Sequence, residues 1–552
     1  MSRKVYQNIG ALHPRRSVFN KGMSKLFDCD MGQLIPIFFM ECLPGDVHTI
    51  NFEAVLRFQP LVAPILHEIF IRSFFTFHPT RLLMNRNTVE DLGDTGIWTD
   101  FITGGDDGKD STTLPTWSSN PDFPFPSGGY GKYSLWDYFG LPLDVVPTAG
   151  SMPISFNKRA YNLFFNEYVR DQNLQEEISL DSDVIQNISW QKDRFTSALY
   201  DTQRGNRPAI PLSGVGSAVF NGLVDTGNPV TEIYPLGMSK DPSSLNNVTG
   251  KIFDRSAYRY VPSIEFGNNN PGVYRHDFQG SNTSVAGAFK NWLGVNTIDM
   301  SNAVTFDMID MRRLAQLQKY LERNMRAGAR YAEQIPARFG VRPQDYRLQR
   351  PEFIGGTRTP VIVSEVLQTS ESSSASKQGS MAGHGISASS SYVGKVRCYE
   401  HGYILGVAVV QPKAVYQQGI PRELQRRTKY DFATPELVNL SEVAIKNSEL
   451  VVTGTARDDE AFGLQGIYDE YRISESIVCG DMRDSLNYWN LARTDYDSAN
   501  PPNLNENFIK CVPSKRIFAV QNVPGCIIHS GCRVRSVRPL PITAEPGLMD
   551  HH

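Results

Sequence analysis

The chain has 552 residues, 40% hydrophobic and 20% charged, a balance that excludes disordered and collagen-like chains. Its formal charge of −3 excludes a basic sleeve that holds nucleic acid by broad phosphate neutralisation, so any such contact is local. Seven scattered cysteines argue against a secreted disulfide framework; no window nears the ~18 apolar residues of a membrane span, and no apolar stretch follows Arg3 and Lys4 as a signal peptide requires.

Residues 1–27 carry Arg3, Lys4, Arg15, Arg16, Lys21 and Lys25, with no acid before Asp28 and no sustained apolar period. They read as a basic arm for nucleic acid or an internal protein, against a plain reading as a solvated tail. From Gln33 an apolar run ends at Pro44-Gly45-Asp46. Ile50, Phe52, Ala54, Leu56 and Phe58 then alternate with polar residues, the period of a strand with one buried face. Phe70 to Phe77 is a third short run. Strands in quick succession, with many Gly, Pro and aromatic residues, predict a mainly β sandwich or barrel.

The spacing of Met311, Leu314, Leu317, Leu321 and Met325 predicts an amphipathic helix between Thr305 and Tyr331. Its cations Arg312, Arg313, Lys319, Arg323, Arg326 and Arg330 could touch nucleic acid, although such a face ordinarily balances acids. Strand patterns return at Glu400–Gln411, Arg516–Val523 and Gly525–Val537. Two segments read as excursions. Residues 213–297 hold 11 Gly and 10 Asn with Tyr234, Tyr258, Tyr260, Phe266, Tyr274 and Trp292 between them, which predicts an ordered excursion with candidate contact residues. Residues 369–391 hold 10 Ser and too little apolar surface to offset ordering, which predicts a mobile loop.

Enzyme chemistry finds no footing. Gly104 to Asp110 departs from a phosphate loop in spacing and lacks its hydroxyl. His67-Glu68 is followed by Ile71 where a zinc helix needs a second His. Cys526, His529 and Cys532 lack a fourth ligand nearby, and the acidic run Asp458-Asp459-Glu460 reads as a solvated turn. No catalytic, cofactor or metal residue is assigned.

Ten stretches carry a resemblance: LIPIFFMECLPGD (34–46), FFTFHPTRLLM (74–84), DYFGLP (137–142), RAYNLFFNEYVRDQNLQ (159–175), DRFTSAL (193–199), LQKYLERNMRAGARYAEQIPARFGV (317–341), RLQRPEFIGG (347–356), EHGYILGV (400–407), YQQGIPRELQRRTKYDFATPEL (416–437) and PGLMDHH (546–552). In this order they resemble the Microviridae major capsid proteins, gokushovirus type. The resemblance implies an eight-stranded antiparallel viral jelly roll with large inter-strand insertions containing helices. With the 1–27 arm read from its cations, residues 28–552 would form the capsid domain. The resemblance also implies an icosahedral homo-oligomer around circular single-stranded DNA, assembled in the bacterial cytoplasm, with a small basic DNA-binding protein, a pilot protein and an internal scaffolding protein as partners. Residues 213–297 would be a surface protrusion that meets a bacterial receptor, and no membrane insertion is expected. A jelly-roll lectin and a glycan-active or metal-dependent enzyme are the competing classes; a lectin would stay a small oligomer, and an enzyme would show a ligand set or turnover.

Overall fold

The computed structural model describes residues 15–84, 96–103, 113–208, 308–367, 381–438, 442–494, 496 and 501–543, with short pieces at 217–219, 251–254, 259–262 and 297–299. The strands are β1 (Ser17–Cys29), β2 (Ile35–Cys42), β3 (Val47–Phe58), β4 (Ile69–Pro79), β5 (Glu352–Pro360), β6 (Ile362–Leu367), β7 (Met381–Arg397), β8 (Gly402–Pro412), β9 (Val443–Lys446), β10 (Ala461–Gln465) and β11 (Cys526–Arg538). Five form one sheet in the order β1-β11-β3-β7-β6, and four form a second in the order β2-β8-β4-β5. Every pairing in both is antiparallel.

The period-two pattern of β3 places His48, Ile50, Phe52, Ala54, Leu56 and Phe58 inside, while Val55 and Arg57 face solvent. Strand β11 alternates likewise, burying Cys526, Ile528, Cys532 and Val534. These side chains meet Ile37, Phe75, Phe77, Ile404 and Val410 of the other sheet in one core. Phe52 and Phe75 touch edge to face with centroids 5.8 Å apart, a geometry worth about 0.5–1.5 kcal/mol beyond area burial.

Strand β8 is buried along its whole length. Its Ile404, Ala408 and Val410 enter the core just described, whereas Tyr403, Leu405, Val407 and Val409 enter a second core with Trp117, Trp136, Tyr161 and Phe164. A strand covered on both faces needs a continuous apolar run, which YILGVAVV supplies. The cover comes from residues 113–190 and from helix α1 (Phe156–Phe164), whose residues from Phe156 to Phe164 are buried apart from Asn157. A third core joins Phe195, Tyr416, Ile445, Leu450, Phe462 and Phe508 beside the β9–β10 hairpin.

The chain divides into two compact units, residues 1–205 with 321–552 and residues 206–320. In the smaller unit Ser217–Val219 pairs with Thr297–Asp299, and Lys251–Asp254 with Arg259–Pro262. The expected long helix is present as α2 (Met308–Ala327), and a shorter α3 (Tyr331–Phe339) follows it.

Three expectations change. The described part of the 1–27 segment is mostly sheet: β1 pairs with β11 from Ser17–Arg538 to Cys29–Cys526. Its weak apolar pattern reflects an edge strand with one exposed side. The serine-rich 369–391 segment is half strand, because residues 381–391 belong to β7 and pair with β6 and β3; backbone hydrogen bonds supply the ordering that its small side chains cannot. Arg516–Val523 is no strand. Ser514 caps a short helical turn at Lys515–Ile517, and the Arg516 guanidinium donates to the carbonyls of Asn487 (3.0 Å) and Ala492 (2.8 Å).

Candidate assembly surface

After β8 the chain runs over the third core. Tyr416 anchors it: the ring packs on Phe195 at 4.8 Å and the hydroxyl donates to Asp193 Oδ2 at 2.6 Å. Gly419 follows where a Cβ would lie 1.8 Å from the Glu449 carbonyl oxygen, so only glycine lets the two backbones approach. The turn then delivers Arg422 and Arg426 to a set of buried acids. Arg194 meets Glu449 at 2.6 Å and also pairs with Glu475. Arg422 meets Glu449 at 3.0 Å and Glu470 at 3.8 Å, and Arg426 meets Glu470 at 3.7 Å. Three guanidinium groups thus face three carboxylates, which neutralises charges that would otherwise be costly to bury. Burial raises the Glu475 carboxyl despite Arg194 beside it.

On the outer side, the Arg426 guanidinium lies 5.0 Å from the Phe432 ring centroid and 4.6 Å from that of Tyr471. It also donates to the Tyr471 hydroxyl. Phe432 and Tyr471 are more than half exposed, and Tyr430 and Leu424 nearby are more exposed still. Aromatic rings held rigid by arginine over a buried ionic base, yet left in water, have the composition of an interface hot spot. A second exposed feature is β1. It is the edge of its sheet among the described residues and shows Val18, Met23 and Leu26 to solvent, and an edge strand suits pairing with a neighbouring chain.

The expected nucleic-acid contacts divide. Arg3 and Lys4 lie outside the described residues. Arg15, Arg16 and Lys21 are exposed. Lys25 is partly buried: its Nζ donates to the Pro36 carbonyl at 2.6 Å and to that of Tyr138, and burial lowers its pKa to about 8 against the pull of Asp137. The cations of α2 and its surroundings are partly engaged within the chain. Arg326 pairs with Glu442 at 2.5 Å and Arg330 with Glu333 at 3.2 Å. Among the proposed contact aromatics, Tyr260 falls on the strand Arg259–Pro262; Tyr234, Tyr258, Phe266, Tyr274 and Trp292 lie outside the described residues, as does Gly104 to Asp110.

His67 donates from Nε2 to the Lys413 carbonyl at 2.8 Å, a structural role. Cys526, His529 and Cys532 share β11, where both sulfurs point into the core and His529 points out, so they cannot share an ion. Asp458 closes its turn by accepting from the Thr453 and Gly454 amides at 2.8 and 2.9 Å. Sequence reading missed the Arg194–Arg422–Arg426 network and a buried group of Cys42, His48 and Cys398, because their members are far apart in the chain. Among the described residues no helix is long and apolar enough to cross a membrane.

A family model for capsid protein (F protein) matches residues 7–548. Capsid protein VP1 of Chlamydia phage 1 is 31% identical over 596 residues, covering 97% of this chain and 96% of its own. Capsid protein VP1 of Bdellovibrio phage phiMH2K is 31% identical, covering 93% and 92%, and that of Spiroplasma virus 4 is 28% identical, covering 94% and 93%. Two β-sheets packed face to face, an exposed aromatic patch on a rigid base and a likeness that spans nearly every residue lead to one conclusion: the chain belongs to the capsid protein (F protein) family, a family of structural proteins and not of enzymes.

Proposed function

We propose that copies of this chain close into an icosahedral shell around a circular single-stranded DNA genome, each contributing an eight-stranded jelly roll. The strand orders β1-β11-β3-β7 and β2-β8-β4-β5 support that topology, two four-stranded antiparallel sheets with β6 added at one edge. The observation that carries the shell reading is the Arg426, Phe432 and Tyr471 patch: one rigid apolar face on every subunit suits the heterologous contacts that close around symmetry axes. Residues 213–297 would be the exterior insertion that meets a bacterial receptor, and the 1–27 cations would face the genome or an internal protein. Scaffolding, pilot and small basic DNA-binding proteins would be the virion partners, with assembly in the host cytoplasm. The test is negative-stain imaging and native mass measurement of the chain co-expressed with scaffold and genome. Closed particles of uniform size are expected; small rings or monomers only would refute the proposal.

A further inference from the structure

The turn Leu43-Pro44-Gly45-Asp46 joins β2 to β3. Gly45 has φ +91°, the positive value that a type II turn demands after proline. The Asp46 amide donates to the Leu43 carbonyl at 3.0 Å, and the Leu43 amide to Asp46 Oδ2 at 2.9 Å. The turn is also tied to the chain just beyond β7, since the Gly45 amide donates to the Cys398 carbonyl at 2.7 Å and the Cys398 amide to that of Asp46 at 2.9 Å. Backbone bonds therefore fix Cys42, His48 and Cys398 together from three separate elements. One ligand atom from each lies within 4.8 Å of the other two.

All three residues are 0% exposed, as is Asp46. His48 Nδ1 is 2.8 Å from Ser536 Oγ, while Nε2 lies 3.2 Å from Asp46 Oδ2. Arg538 Nε approaches the same carboxylate oxygen at 3.2 Å. Two buried atoms of this group lack a hydrogen bond: Asp46 Oδ1 has no partner, and His48 Nε2 has only its ionic contact with Asp46 Oδ2. Such orphans are costly in a dry interior and call for an explanation. We propose that Cys42, His48 and Cys398 bind a zinc ion, with the Asp46 carboxylate beside His48 contributing charge.

Two sulfurs with an imidazole form a borderline-soft set that suits zinc, and the closed surroundings suit a structural ion rather than a catalytic one. Formal charge also balances. Two thiolates and one carboxylate offset the divalent ion and the Arg538 guanidinium, leaving a neutral group at a site that water does not reach. Zinc binding displaces the thiol protons of the two cysteines. Cys42 ends β2 in one sheet and His48 lies on β3 in the other, so the ion would fasten the two sheets at one end of their common core.

The test is elemental analysis of purified particles by mass spectrometry. About one zinc per chain is expected, lost in Cys398→Ser and kept in Cys532→Ser, a buried thiol outside the cluster. Zinc in the wild type no higher than in Cys398→Ser would overturn the proposal, and so would a native Cys42–Cys398 disulfide found by peptide mapping. Should Cys398→Ser fail to fold, the wild-type full chain stripped of metal under reducing conditions decides the matter with cobalt(II). Near-ultraviolet thiolate-to-cobalt charge-transfer bands are expected, and their absence rejects the site.

Discussion

Arg159 and Asp181 form a forked ion pair in which Nε donates to Oδ1 at 2.8 Å and Nη2 to Oδ2 at 2.9 Å, with both side chains 4% exposed. The remaining nitrogen, Nη1, donates to the Leu83 carbonyl at 2.9 Å, so one guanidinium ties α1 to the helical turn Thr80–Leu83 that follows β4 and to the 170–190 segment. Asp181→Ala leaves that cation buried alone and is expected to cost about 3–5 kcal/mol, read as a lower urea midpoint. Burial alone would raise the Asp181 carboxyl, but the bonds and charge of Arg159 bring it below its ordinary value. Its contribution is therefore full above the usual carboxylate range and is lost as pH falls below it. An unchanged urea midpoint at neutral pH would show that the pair contributes nothing.

His78 sets a second acid limit. It is fully buried, Nε2 lies 2.8 Å from Thr76 Oγ1, and desolvation lowers its pKa from 6.5 to about 3. A folded pKa below the unfolded one means that stability is present above pH ~6.5 and falls by roughly 1.4 kcal/mol per pH unit down to the folded pKa. Burial also lowers His67, which adds in the same direction. Thermal midpoints between pH 7 and 4 should fall less steeply in His78→Gln. Parallel curves for the two proteins would exclude His78 as the source.

The aromatic patch predicts a separation of folding from assembly. Phe432 and Tyr471 are largely exposed in the subunit, so Phe432→Ala with Tyr471→Ala should leave near-ultraviolet circular dichroism and subunit stability almost unchanged. Hot-spot side chains contribute ~2 kcal/mol or more when truncated, and each ~1.4 kcal/mol is tenfold in affinity. The critical concentration for particle formation should rise at least tenfold. Normal assembly of the double variant would place the subunit contact elsewhere.

The legible parts of the fold are those where burial is one-sided or complete. The alternation in Ile50 to Phe58 and the unbroken run in Gly402 to Pro412 mark β3 and β8 without ambiguity, because their side-chain periods follow directly from which faces meet the core. The β1 edge strand was not legible, since its register comes from β11 some five hundred residues away rather than from its own pattern. The same distance hid both polar groups. Cys42 and Cys398, or Arg194 and Glu449, carry no local spacing that pairs them. A hint lay in LPGD, whose glycine and aspartate announce a tight turn, but not in what the turn would be tied to.

The basic segment yields a sharper test once Lys25 is set apart. Because Lys25 donates to two backbone carbonyls, its replacement disturbs the fold and confuses the readout. Replacing Arg3, Lys4, Arg15, Arg16 and Lys21 by Gln removes five charges and leaves both Lys25 bonds in place. If these cations neutralise phosphates, packaged DNA should fall and its retention should become less sensitive to salt. Unchanged DNA content with normal particle yield would assign them to a solvated tail.

The insertion at 213–297 carries the attachment proposal, and its boundaries lie within the unit formed by residues 206–320. Among the described residues, the cores around Phe52, Trp136 and Phe195 contain none of 206–320, so exchanging a segment of that compact unit removes none of their described side chains. Loops on a rigid scaffold vary freely for this reason, and tyrosine and tryptophan give such a loop large contact area at low entropic cost. Replacing 213–297 by a short Gly-Ser linker should therefore leave a soluble subunit, and particle formation and adsorption to host cells are then scored separately. Particles that assemble yet fail to adsorb are the expected result. Soluble subunits that no longer assemble would make the segment a clamp between copies, which three copies around one axis could form. Particles that adsorb normally would move the receptor contact to the surface outside the insertion, while an insoluble subunit would show that the two sheets depend on it.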